Sequence, residues 1–177
     1  MTDALVAFLK ARLDDDERVA RAATPGPWCD SGGYVTNIDE DGHSRVQVTD
    51  FGTQDEDSEG GGPQGQADSA HIARQDPART LREVEAKRGL LDAALADRHH
   101  VSADQYETCP RATAADGLDE TTLAALEALN EERRQEYGVE PTCWESCGRD
   151  ARVRRTLELL ALPYSDHPGY EEALTGG

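Results

Sequence analysis

Apolar residues near the start of the chain recur at helical spacing: Leu5, Phe8, Leu9, Leu13, Val19 and Ala20 share one side of a helix over residues 4–22. Asp3 suits its N-cap, and Thr24-Pro25-Gly26-Pro27 stops it, because proline removes a donor and clashes with the preceding turn. The same period returns three times. Over 77–97 the stripe is Leu81, Val84, Leu91 and Leu95, behind Asp76 as N-cap and Pro77 in the first helical position. Over 118–136 it is Leu123, Leu126 and Leu129 or Asn130, ended by Tyr137-Gly138; over 150–162 it is Val153, Leu157, Leu160 and Ala161, ended by Pro163. Within the second helix Gly89 costs about 1 kcal/mol relative to alanine unless a neighbour packs closely there, and Glu83 with Lys87 forms a favourably oriented i,i+4 pair. "DSAHIAR" predicts a short helical turn with Ile72 inward, and "SDHPGYEEAL" a short terminal helix capped by Ser165 or Asp166.

The period changes to two in "GYVTNIDEDGHSRVQVTDF", which predicts two strands around an Asp41-Gly42 turn, with Tyr34, Val46 and Val48 inward, Trp28 at the entry and His43 exposed at the turn. Residues 52–69 have no periodicity, five glycines and no basic residue, so an acidic, Gly-rich flexible loop is expected there, and a flexible tail over 171–177. Together the patterns predict an α+β fold, mostly helical, with about four helices and one small antiparallel β-hairpin. A chain of 177 residues fits a single domain.

Composition narrows the functional classes. The apolar fraction is 37% and the aromatic fraction 5%, lean enough to predict a modest core with long irregular connections. The net charge is −18, from 36 acidic against 18 basic residues, which excludes direct electrostatic capture of nucleic acid. Half of it lies in residues 30–69, where ten acids face Arg45 alone. That concentration suits a solubilising surface, a docking face for a basic protein partner, or a DNA mimic. Only Lys10 and Lys87 are lysines, the usage of a GC-rich coding sequence. No run approaches the roughly 18 apolar residues of a membrane helix, and "MTDALVAFLKARLDDDE" lacks a signal-peptide core, so a cytoplasmic protein with no membrane partner is expected.

Phosphate-binding glycine loops, nucleophile elbows and the H-E-x-x-H motif are absent from the sequence, which points away from an enzyme. The acids Asp14 to Glu17 point in different directions on a helix and read as a solvated face. Arg149, Arg152, Arg154 and Arg155 make a local basic excess on the last long helix. The remaining chemistry is in "EPTCWESCGRD", where Cys143 and Cys147 could supply two of the four tetrahedral ligands of zinc. A second pair would come from "DRHHVSADQYETCPRA", giving a candidate metal set of Cys109, Cys143, Cys147 and His100, or His99 in its place. The competing reading is four free thiols, Cys29 included, because a cytosolic chain keeps thiols reduced. The leading expectation is a non-enzymatic protein-binding module. A zinc-stabilised domain is the alternative, and a DNA mimic a further one.

Three blocks, "LVAFLKARLDDDE" at 5–17, "HIARQDPARTLREVEAKR" at 71–88 and "TLELLALPYSDHPGY" at 156–170, resemble a domain-of-unknown-function family common in streptomycetes and their relatives. The likeness covers about 46 residues and implies no activity, substrate or catalytic residue, since that family has none assigned. "ATPGPW" at 23–28 together with "DSAHIARQDP" is also similar to small actinophage proteins, which raises a mobile-element origin. The family pattern carries a Cys pair before the last block, matched here by Cys143 and Cys147. It also carries a further Cys two residues before the block's threonine, where this chain has Arg154.

Overall fold

Helix signals and stops translate closely into structure. The computed structural model describes residues 2–50 and 62–176. Among these are six helices, α1 Asp3–Ala22, α2 Gly62–Ala73, α3 Pro77–Leu95, α4 Glu120–Tyr137, α5 Arg149–Ala161 and α6 Tyr170–Thr175, and three strands, β1 Trp28–Asp30, β2 Tyr34–Ile38 and β3 Ser44–Asp50. The class is α+β, with two more helices and one more strand than the pattern predicts. No helix among the described residues is long and apolar enough to cross a membrane. A single domain is expected from length; the contacts gather in two compact units, Lys10–Gly89 and Met1–Leu9 with Leu90–Gly177.

In the unit Lys10–Gly89 the strands form an antiparallel sheet in the order β1-β2-β3. Its hairpin turn is built on Asp39, whose Oδ1 accepts the N–H groups of Asp41 at 3.0 Å and His43 at 2.8 Å, while Gly42 takes a φ of 80°. The inward face differs from expectation: Val35 is fully buried, Tyr34 and Val48 are half-buried, and Val46 is exposed. Register shifts interrupt the pairing at two places along β2 and β3, so β3 carries no continuous two-residue alternation against β2. Val46 stands opposite Asn37, whose Oδ1 accepts its N–H at 2.7 Å.

Helix α2 packs on β1 and β2. It replaces the second half of the expected loop, residues 62–69; residues 52–61 lie outside the described residues. Gly65 and Ser69 are its buried positions, so it docks through small residues rather than an apolar stripe. Ser69 Oγ donates to Asp30 Oδ1 at 2.6 Å and accepts the Gly33 N–H at 3.2 Å, fastening the helix to both ends of the β1–β2 turn.

Asp76 caps α3 through the Ala78 N–H at 2.7 Å, and its second oxygen accepts the Trp28 N–H at 2.9 Å. A Cβ at Gly26 would lie 1.8 Å from that oxygen, so only glycine fits there. One carboxylate thus both starts a helix and holds the first strand. Asp76→Ala is expected to destabilise the protein by about 1 to 3 kcal/mol, read as a lower thermal midpoint, with Asp76→Asn losing less. A loss under a few tenths of a kcal/mol would show that water replaces both bonds. Further along α3, nothing lies within 4 Å of a Cβ at Gly89, so no close packing offsets its cost, and Glu83 pairs with Arg79 at 2.7 Å. The acids of α1 form a solvated face crossed by arginines: Arg88 reaches Asp14 and Glu17, each at 2.6 Å. Val19 is exposed, against expectation.

In the unit Met1–Leu9 with Leu90–Gly177, one core joins Leu5, Leu9, Leu91, Val153, Leu157, Ala161 and Ala173. Phe8 meets the rings of Tyr164, His167 and Tyr170 edge-on, with centroids 5.4 to 6.3 Å apart. Gly169, rather than Ser165 or Asp166, stands at the N-cap of α6, and burial of Ala173 makes a helix of most of the expected tail. A second cluster in this unit joins Cys109, Ala112, Leu126 and Cys147, with Cys143 and Trp144 against it. Asp119 caps α4 by accepting the Thr122 N–H at 2.9 Å, and Asn130 on the same helix donates to the Pro110 carbonyl at 2.7 Å, fixing the segment that carries Cys109.

Candidate metal centre

Two irregular segments bring the donors together. The first follows α3 and turns back on itself: buried Thr108 donates to the Ser102 and Asp104 carbonyls and accepts the Ser102 N–H, all at 3.0 Å, and the Cys109 N–H donates to the His100 carbonyl at 3.0 Å. The second is the turn before α5, where Cys147 and Gly148 both donate to the Trp144 carbonyl and Gly148 takes a φ of 65°. Arg152 Nη1 closes this turn on the Cys147 carbonyl at 2.7 Å.

One ligand atom each from His99, Cys109, Cys143 and Cys147 lies within 4.8 Å of all the others. His99 Nδ1 is 3.4 Å from Cys109 Sγ and 3.7 Å from Cys147 Sγ. A tetrahedral zinc with ordinary bond lengths sets N to S at about 3.5 Å and S to S at about 3.8 Å, so the spacing fits such an ion. His99, Cys109 and Cys147 are buried and Cys143 is half-buried.

Three of the four predicted ligands therefore meet, and the fourth is His99 rather than His100. Asp116 fixes the His99 backbone: its carboxylate accepts the main-chain N–H of His99 at 2.8 Å, along with the Thr113 N–H and hydroxyl at 2.8 and 2.9 Å. Burial works against that carboxyl's charge, but those donors hold it below the usual carboxylate range. His100 takes part through its backbone, giving its N–H to Cys147 Sγ at 3.2 Å, while its ring is exposed. Nothing local separates two adjacent histidines in a sequence; the Thr113-x-x-Asp116 pattern is the one signal that something nearby would be capped. Arg154 pairs with Glu158 at 2.7 Å and stands outside the group, whose third thiol is Cys109.

The thiols differ in their hold on protons. Burial pushes Cys109 up to about 11, against N–H bonds from Arg111 and Trp144 and with the help of the Cys147 and Cys143 sulfurs beside it. Burial also opposes ionisation of Cys147, but the N–H groups of His100 and Arg149, with His99 and Cys143, bring it down to about 6. Cys109 thus holds its proton more tightly than Cys147, and a cation placed beside the sulfurs would favour loss of the Cys109 proton as well.

All four cysteines are free thiols, and Cys29 lies in β1 apart from the group. A second set of donors, Asp39, Asp41 and His43, stands at the hairpin turn. There the His43 N–H, together with Arg45 and the Asp41 N–H, holds the Asp39 carboxyl below its usual range, so Asp39 is already committed to the turn. The basic excess of α5 is largely engaged: Arg149 and Arg152 reach Asp97, Arg149 also reaches Asp150, and Arg154 reaches Glu158.

Fold and donors together define an α+β protein carrying a buried Cys3His group able to hold a metal ion such as zinc. The chain belongs to a family of unknown function (DUF6221), whose model matches residues 2–175. No curated protein and no solved structure matches it.

Proposed function

We propose that this chain is a zinc-stabilised binding protein in which His99, Cys109, Cys143 and Cys147 hold a structural ion. The observation that carries the reading is the mutual approach of these four donors within 4.8 Å, three of them buried. Four protein donors complete a tetrahedral zinc and leave no position for a substrate or a reactive water, which favours a structural over a catalytic role. The ion would tie the segment after α3 to the turn before α5, at a place whose apolar cluster is small. The function so supported is recognition of another protein by a surface that the metal keeps in shape.

Protein made without a histidine tag should carry about one zinc per chain by elemental analysis, and its thermal midpoint should fall on adding a chelator. Substoichiometric metal together with an unchanged midpoint would leave the four residues as three packed thiols and an imidazole and refute the assignment.

A further inference from the structure

Resting on that reading, we infer that Asp150 is a positioning residue for the metal: it holds His99 in the one tautomer that can coordinate. The imidazole is contacted on two sides. Nδ1 faces the sulfurs of Cys109 and Cys147, and Nε2 lies 3.6 Å from Asp150 Oδ1. That separation is an electrostatic contact, somewhat longer than a hydrogen bond. A ligating histidine needs its lone pair on the metal side and its proton on the other nitrogen, and a carboxylate at that second nitrogen selects this arrangement and raises the ligand's basicity.

The chain delivers both partners through one turn. Cys147 lies immediately before Gly148, whose left-handed conformation redirects the backbone into α5, and Asp150 is the second residue of that helix. The same three-residue step therefore sets a sulfur against Nδ1 and a carboxylate against Nε2. Asp150 is itself held, by Arg149 Nη1 at 3.1 Å and Arg111 Nε at 3.5 Å. The two guanidinium groups offset a negative charge that would otherwise stand close to three thiolates. Arg111 is two residues beyond Cys109 and Arg149 two beyond Cys147, so each cysteine segment also sends one arginine to the carboxylate.

The test measures zinc affinity by competition with a chromophoric chelator for the full chain and for Asp150→Ala, Asp150→Asn and Asp150→Glu. Asp150→Ala is expected to bind zinc about 10- to 100-fold more weakly, Asp150→Asn to lie between it and the parent, and Asp150→Glu to recover most of the loss. Cobalt-loaded Asp150→Ala should keep the thiolate-to-metal absorption of three sulfurs, and nitrogen NMR should show the His99 Nε2–H resonance weakened by exchange. Parent chain that binds zinc with an Asp150→Ala variant of equal affinity overturns the role of Asp150 while leaving the metal site standing. The role is equally overturned if Asp150→Ala lowers the midpoint of chelator-treated and zinc-loaded protein alike with no change in affinity, which is the signature of a helix-start residue. Parent chain that binds no zinc refutes the metal reading itself.

Discussion

Cys109→Ser is expected to leave the chain without bound zinc and to lower its thermal midpoint by about 5 to 11 °C in zinc-containing buffer. The figure follows from the linkage of binding to folding: an ion present at about 100 times its dissociation constant contributes roughly 2.7 kcal/mol, and a protein of this length loses about 2 to 4 °C for each kcal/mol. Cys109 is fully buried beside His99, so a serine hydroxyl there can meet the imidazole but supplies no thiolate to hold the ion. Cys29→Ser is the control, because Cys29 lies outside the donor group and should leave both metal content and midpoint close to those of the parent. Equal zinc content in the two variants would remove Cys109 from the ligand set.

Leu157→Ala is expected to cost about 2 to 5 kcal/mol, the range for truncating a well-packed leucine and leaving a cavity. Leu157 is fully buried in the cluster that joins α1, α3, α5 and α6, so no flexible surface group can collapse into the space. Denaturant unfolding followed by circular dichroism measures it. A loss below about 1 kcal/mol would mean that the core relaxes around the missing methyl groups far more than its burial implies.

How much of this could be read from the residues depends on what each element buries. Helices α1, α3, α4 and α5 are legible because most of their buried positions are leucine and valine at helical spacing, marked off by Asp76, Gly138 and Pro163. Helix α2 was not, because its buried side is Gly65 and Ser69, and a helix that docks through small residues has no hydrophobic period. Strand β1 is three residues long and contains no alternation to detect, and on β2 the buried residue is Val35 rather than its neighbour Tyr34. At the metal centre the residue types pointed to three cysteines and a histidine. That His99 and not His100 joins them, with Asp116 on its backbone and Asp150 beside its ring, follows from segments that meet only in the folded chain. Those contacts join residues 17 to 51 positions apart, beyond the reach of local pattern.

The division of the chain also sets an order of assembly on the ribosome. Residues 10–89 are contiguous, so the sheet and its covering helix can close as soon as that stretch has emerged. Leu5 and Leu9 precede that stretch, yet the core they join is complete only when Ala173 has been made. At roughly 5 to 20 residues per second they stay uncovered for on the order of ten seconds. The segment that carries Leu5 and Leu9 thus waits, uncovered, for α6 to close its core.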